Sequence, residues 1–166
     1  MKFKTIGRVA IGAMIGLALV SPQASAQSTT TGTFNVAVTL TTKCEIFSGS
    51  TATSAIGNLA MSYTSFQTTA STGSTNFKVR CTNTLPYSMA LDSASVTDGT
   101  TGLAYTLALS TSASGNATTA NASLTSLTGN GNTGQTYYVY GNIAAGQDGT
   151  STAGTANNTR TLTITY

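Results

Sequence analysis

The chain has 166 residues, of which 7% are charged and none is histidine, and its formal net charge is +3. The missing histidine excludes a Ser–His or Cys–His nucleophile and any histidine-containing metal site. Lys2, Lys4 and Arg8 supply the whole positive excess, and the remaining four basic and four acidic side chains balance. The basic isoelectric point therefore gives no argument for nucleic acid or anionic lipid as a partner.

The first 26 residues have the organisation of a secretory signal peptide. MKFKTIGR is basic, and the apolar stretch VAIGAMIGLALV that follows is too short to span a bilayer. Ala24 and Ala26 supply the small residues of a cleavage site. We predict cleavage after Ala26, which leaves one domain of ordinary size. The alternative is a retained membrane anchor.

The segment 31–40, TGTFNVAVTL, alternates apolar and small polar residues in the way of a half-buried strand. Its apolar positions are Phe34, Val36, Val38 and Leu40. This strand is either the first strand of its own domain or a donor strand that completes the sheet of another molecule. The pattern alone is compatible with both.

Two cysteines, Cys44 and Cys81, follow in the exported part of the chain. An even number of cysteines in an oxidising compartment predicts one disulfide. A metal or redox pair is the alternative, and the absence of histidine and of a C-x-x-C motif disfavours it.

Alternating apolar residues predict further strands, separated by turns rich in Gly, Ser, Asn and Thr. These predicted strands are 42–47, 55–61, 76–82, 86–92, 103–110, 136–144 and 159–166. The stretch 110–135 is predicted as a long surface loop, or as a loop that contains a weak hairpin. No window has helical periodicity, so we expect an all-β sandwich of about immunoglobulin size. The alternation still runs at Tyr166, which predicts an unpaired sheet edge.

No arrangement of residues indicates catalysis or a cofactor. Asp92 and Asp98 are the nearest acidic pair, and we interpret them as solvated turn residues. The glycine-rich GNGNTG (129–134) lacks the lysine of a phosphate-binding loop. Tyr137, Tyr138 and Tyr140 are candidate surface aromatics for a sugar, although tyrosine is also an ordinary strand residue.

Several segments, in this order, resemble the spore coat protein U domain family, which includes the Csu-type (archaic) chaperone–usher pilins. They are FNVAVTLTTKCEI, FKVRCTNTLPYSMAL, LAYTLALS, YYVYGNIAAGQ and TLTITY, and together they cover essentially the whole chain after the signal peptide. One departure is GTANNT (154–159), where members of the family often carry G-x-Y-x-D-T. Ala156 and Asn158 stand in place of that tyrosine and aspartate, so this chain lacks the contacts that those two side chains would make.

The resemblance implies an incomplete immunoglobulin-like sandwich with an N-terminal donor strand. The implied domains are 1–26 (signal peptide), 27–41 (donor segment) and 42–166 (pilin-like sandwich). The implied donor residues are Phe34, Val36, Val38 and Leu40. The implied acceptor groove is lined by Ile46, Leu162, Ile164 and Tyr166. Cys44 and Cys81 correspond to the disulfide of the family.

The resemblance also implies a structural subunit of a secreted fimbria or pilus, which supports adhesion or biofilm formation. A periplasmic chaperone would lend a strand to the groove, and at an outer-membrane usher the next subunit would replace it. The partners are then other copies or related subunits, with no nucleic acid, no cofactor and no membrane span after cleavage. The protein would pass through the periplasm to the cell surface. The alternatives are a spore coat protein and a self-sufficient secreted β-sandwich that binds carbohydrate or a surface.

Overall fold

The computed structural model describes residues 28–48, 51–52, 55–151 and 154–166. The predicted signal peptide, 1–26, lies outside the described residues. The chain divides into two units, Met1–Val38 and Thr39–Tyr166. Nine strands are described, all of them in the second unit. They are β1 (Cys44–Ser48), β2 (Thr51–Ala52), β3 (Ser71–Cys81), β4 (Pro86–Leu91), β5 (Ser95–Thr97), β6 (Ala104–Ser110), β7 (Ser123–Thr128), β8 (Gln135–Ile143) and β9 (Leu162–Thr165).

The strands form two antiparallel sheets. The large sheet has the order β2-β1-β3-β8-β6-β5, and the small sheet has the order β7-β4-β9. Both sheets send alternate side chains into one core, as in the sandwich architecture of immunoglobulin domains. The predicted all-β, immunoglobulin-like sandwich is therefore confirmed.

Alternation along β3 and β8 explains why these strands form the centre of the large sheet. Phe77 and Val79 are each 1% exposed, and the intervening Lys78 is exposed. On β8, Tyr137 and Val139 point into the same core. The small sheet adds Tyr87, Met89 and Leu91 of β4 to that core. A β-strand places successive side chains on opposite faces. Apolar residues at every second position of the sequence therefore all face the core.

The segment 55–61, AIGNLAM, was predicted as a strand, and this prediction is wrong. It has no regular secondary structure, but Ile56 and Leu59 pack against the core as half-buried side chains. The segment passes close to Gly73 of β3 and Gly141 of β8. It fills space over these two glycines instead of pairing with a strand, which is why its apolar residues do not alternate strictly.

The stretch 110–135 contains β7, which pairs with β4 and not with a hairpin partner inside the stretch. Its two leucines, Leu124 and Leu127, are three positions apart, so they do not match a regular strand. The register shifts along this pair, because Leu127 lies opposite Tyr87 while Leu124 lies opposite Met89. This shift is a β-bulge, in which Ser126 has a φ of 57°. Because of the bulge, both leucines point toward the core.

Candidate functional site

The predicted donor segment is described from residue 28 onward and carries no regular secondary structure up to residue 43. Its apolar side chains are nevertheless extensively exposed. The exposed fractions are 86% for Phe34, 72% for Val36, 86% for Val38 and 76% for Leu40. Monomeric proteins rarely expose a run of large apolar side chains to water. Such exposure is typical of a surface that binds another protein. Its role as a donor strand stays a prediction.

The disulfide predicted between Cys44 and Cys81 is confirmed. The two cysteines lie directly opposite each other in the β1–β3 pair. One residue before the strand, the Lys43 N–H donates to Thr82 Oγ1 and the Lys43 carbonyl accepts from the Thr82 N–H, each at 3.0 Å. The bond and this pair of hydrogen bonds fix the start of β1 on β3.

The face of β1 and β3 that points away from the core carries a small group of charges. Glu45 Oε1 accepts from Lys43 Nζ at 2.6 Å, and Glu45 Oε2 accepts from Arg80 Nη2 at 2.7 Å. These hydrogen bonds, first that from Lys43, lower the pKa of the Glu45 carboxyl. The Arg80 guanidinium also lies 4.6 Å from the ring centroid of Phe47. The outer face of β1 is therefore held to β3 by the ion pair of Glu45 with Arg80. The inner face packs against the core through Cys44 and Ile46.

Three of the predicted groove residues lie at the margin of the core. Ile46 of β1 and Leu162 and Ile164 of β9 are half-buried side chains packed against the core cluster. Tyr166, one residue after β9, is 57% exposed. The structure thus brings Ile46, Leu162 and Ile164 to one core, and their role as an acceptor groove stays a prediction.

The free edge of β9 faces away from the strand β6. Within the described part of the chain, β9 pairs only with β4, which has β7 on its other side. The chain just before β7 is attached to β6, since Asn121 bridges to Ala108 and exchanges backbone hydrogen bonds with Leu107 and Leu109 at 3.0 and 2.9 Å. Within the described residues, the small sheet therefore ends at β9, on the side away from β6. A fourth strand beside β9 would cover that side.

A buried carboxylate holds the chain before β9 in place. Asp98 was predicted to be a solvated turn residue, and the prediction that it is solvated is wrong. Asp98 is 6% exposed, and its Oδ1 accepts from the Thr101 hydroxyl at 2.7 Å and from two backbone N–H groups. Its Oδ2 accepts from Asn158 Nδ2 at 2.8 Å. These hydrogen bonds, with Thr101 the largest cause, lower the pKa of Asp98 to about 2. Asn158 is thus a donor to an anion, and an aspartate at this position would place a second carboxylate against Asp98.

The three tyrosines of β8 do not share one surface. Tyr137 is 2% exposed. Its hydroxyl donates to Gln135 Oε1 and lies within hydrogen-bond distance of the Tyr87 hydroxyl. Tyr140 is 8% exposed on the opposite face of the sheet, where it stacks with the half-buried Tyr138. Burial raises the pKa of Tyr87 and of Tyr137. This placement fits the ordinary strand interpretation of Tyr137 and Tyr140.

Sequence reasoning missed the contact between Asp98 and Asn158. The run DGTT at 98–101 is typical of a turn in which the carboxylate caps the following N–H groups. That signal identifies the cap, but nothing in the sequence shows a partner 60 positions away.

A family model described as "Spore Coat Protein U domain" matches residues 30–165. No individual curated protein matches the chain. In the described part of the chain, no helix is long and apolar enough to cross a membrane. The same residues contain no group of three or more acidic, cysteine or histidine side chains that could hold a metal ion.

Proposed function

The chain belongs to the Spore Coat Protein U domain family, a structural domain found in chaperone–usher fimbrial subunits, and from that premise we propose that it is a fibre subunit that assembles by donor-strand exchange. In this proposal, the donor segment of one copy lies beside the free edge of β9 in the next copy. It buries four apolar side chains there, those of Phe34, Val36, Val38 and Leu40. One observation carries the proposal: in the part of the chain that the structure describes, an exposed alternating segment occurs together with a small sheet whose last strand has a free edge.

The energy of such an exchange comes mainly from the four apolar side chains of the donor segment. Full burial of a side chain of this size contributes about 1.5–3 kcal/mol, so the four together supply roughly 6–12 kcal/mol before the cost of ordering the segment. Backbone hydrogen bonds along β9 would fix the direction and register of the added strand. The alternation in the segment matches this role because a strand that joins a sandwich buries only one of its faces.

The same free edge requires protection before assembly. An apolar strand edge is a template for pairing with other chains, and it leads to aggregation when it is left open. A periplasmic chaperone that lends a strand would cover the edge, and an outer-membrane usher would then replace the chaperone by the next subunit. The assembled fibre would stand on the cell surface, where it would support adhesion or biofilm formation. With no net charge after signal-peptide cleavage, copies would not repel one another strongly.

The experiment that tests this function compares the two faces of the donor segment in the producing cell. In one variant, the four apolar residues Phe34, Val36, Val38 and Leu40 are replaced by serine. In the matched control, the intervening Thr33, Asn35, Ala37 and Thr39 are replaced by serine. We expect surface fibres in electron micrographs of the control only, with the first variant retained as free or chaperone-bound subunit. Normal fibres from the first variant would overturn the proposal.

A spore coat layer is the second candidate for the assembly, because the family is named after a spore coat protein. The two candidates differ in location. A gold-labelled antibody against the chain would mark thin fibres outside vegetative cells in the first case, and a continuous layer on spores in the second.

A further inference from the structure

A cavity of about 320 Å³ lies away from the strand-exchange surfaces, on the face of the large sheet opposite the core. It is lined by β5, β6 and the end of β8, and by residues of two loops. The polar residues of the lining are Ser95, Thr97, Thr106, Thr118, Asn142 and Gln147. Its volume is at the lower end of the range for small-molecule sites, which corresponds to a ligand of one ring.

The floor of the cavity is a row of polar side chains that crosses three neighbouring strands. Ser95 of β5 lies opposite Thr106 of β6, and Thr106 lies opposite Asn142 of β8. Residues in such a row are about 5 Å apart and point to the same face of the sheet. The register of the strands therefore presents hydroxyl, hydroxyl and amide groups side by side.

Asn142 is the residue that marks this row as a site. Its side chain is 92% buried, since its exposed fraction is 8%, and its Oδ1 has no hydrogen-bond partner in the described part of the chain. A buried polar atom without a partner destabilises a fold, so natural proteins rarely keep one. The oxygen is itself shielded, and Asn142 lines the cavity, so a rotation about the last side-chain torsion would be needed to present it to a ligand.

The walls of the cavity are held in place by contacts that do not involve a ligand. Gln147 donates to the Ala104 carbonyl at 2.8 Å and accepts from the Ala104 N–H at 2.7 Å. On the other side, Thr118 follows Ala117, which is 1% exposed and whose carbonyl accepts a hydrogen bond from the Thr106 hydroxyl. The cavity is therefore preformed, and a ligand would not have to order its walls.

The lining residues include no charged side chain, and they combine hydroxyl and amide groups with a larger share of apolar surface. A charged ligand would lose its hydration there without gaining a counter-charge. We infer that this cavity binds a neutral polyhydroxylated ring of the size of one sugar residue, with the amide of Asn142 accepting from and donating to ligand hydroxyls. This binding activity would be separate from fibre assembly, because none of the groove or donor residues lines the cavity.

Saturation-transfer NMR on the full secreted chain tests the inference, and it works equally well on an assembled fibre. The probes are the methyl pyranosides of glucose, mannose and galactose, with glucuronate as a charged probe of similar shape. We expect saturation transfer to the ring protons of at least one neutral probe and little transfer to glucuronate. In Asn142→Leu the affinity should fall about tenfold or more, since hydrogen bonds to the ligand are lost. Asn157→Leu, the same change at an exposed asparagine, should bind like the unmodified chain.

Two further measurements keep the test independent of misfolding. Ser95→Leu at an exposed position would fill the cavity and should abolish transfer while Asn142 is intact. Asn142→Leu should also raise the midpoint of thermal unfolding, because it removes a buried amide oxygen without a partner in the described part of the chain. The inference is overturned if no neutral probe receives saturation, if Asn142→Leu binds as before, or if glucuronate binds as well as the neutral rings. Fibre formation by Asn142→Leu is expected to be normal. A failure of the ligand-binding inference therefore does not contradict the proposed function.

Discussion

Gly73 and Gly141 lie directly opposite each other in the β3–β8 pair, and the backbone and side chains of 59–61 rest against both of them. A Cβ atom at Gly73 would collide with the carbonyl oxygen of Ala60. A Cβ atom at Gly141 would lie 2.8 Å from Leu59 and 2.9 Å from Met61 Sδ, which are the ends of flexible side chains. The pair of glycines therefore lets the segment 59–61 pack directly on the large sheet.

Gly73→Ala is expected to destabilise the fold by about 1–3 kcal/mol, the usual cost of overpacking a filled core. Gly141→Ala should cost less, because the Leu59 and Met61 side chains can move and the Ala60 carbonyl cannot. Gly99→Ala is the control, since nothing lies within 4 Å of its added methyl group. Urea unfolding of the three variants measures the difference. An equal loss for Gly73→Ala and Gly99→Ala would show that the 59–61 segment does not constrain this position.

The fold was predictable from the sequence wherever side chains alternate along a strand. β1, β3, β4, β6, β8 and β9 all coincide with predicted strands, although β3 begins five residues earlier than expected. The failures have specific causes. The segment 55–61 is apolar because it packs over Gly73 and Gly141, and β7 was missed because its bulge at Ser126 replaces a period of two by a period of three.

The candidate site was predictable only in part, for a related reason. The positions of Leu162 and Ile164 follow from alternation within β9, and the opposition of Cys44 and Cys81 follows from there being only two cysteines. The contact of Asp98 with Asn158 depends on how the chain returns before β9, and the cavity at Asn142 depends on the register of three strands. Neither is encoded in a local pattern.

The contact between Asn158 and Asp98 predicts a pH dependence of stability. The pKa of Asp98 is lowered to about 2 in the folded chain, below its ordinary value near 4. A lowered pKa stabilises the fold above the ordinary value, and the contribution is lost as the pH falls from about 4 to about 2. Asn158→Ala removes one bond to the charged form, so it should destabilise the chain more at pH 7 than at pH 2.

Urea unfolding at the two pH values measures this effect, and the exposed Asn157→Ala is the neighbouring control. An equal loss for Asn158→Ala at pH 7 and pH 2 would contradict the assignment of its effect to the Asp98 carboxylate.

The disulfide predicts a large effect of removing both cysteines. Cys44 and Cys81 are 37 positions apart, and closing a loop of this length stabilises a fold by about 3–4 kcal/mol in the chain-entropy model. We expect the Cys44→Ser, Cys81→Ser double variant to lose roughly this amount in chemical unfolding. The unmodified chain under reducing conditions should match the double variant. A loss below about 1 kcal/mol would mean that the β1–β3 pair forms without help from the bond.

The hydroxyl group of Tyr87 predicts a smaller effect. It lies within hydrogen-bond distance of the Tyr137 hydroxyl and of Gln135 Oε1, the latter at 2.7 Å. Tyr87→Phe should destabilise the fold by about 0.5–1.5 kcal/mol, the net value of a buried hydrogen bond. Tyr138→Phe removes a hydroxyl from a half-buried ring and should be close to neutral. Thermal unfolding of the two variants compares them, and a neutral Tyr87→Phe would argue that Gln135 and Tyr137 satisfy each other alone.

The central claim, that one copy supplies a strand to the next, is tested most directly by crosslinking between copies that differ in isotope. A photoreactive residue in place of Val36 is introduced into unlabelled chains, which are coassembled with ¹⁵N-labelled chains that carry Val36. After irradiation, mass spectrometry identifies the attached peptides. The proposal predicts crosslinks from the unlabelled donor segment to labelled peptides that contain β9 or β1, such as those with Ile164 or Ile46. Fibres that form normally but give crosslinks only within the unlabelled chain would contradict it.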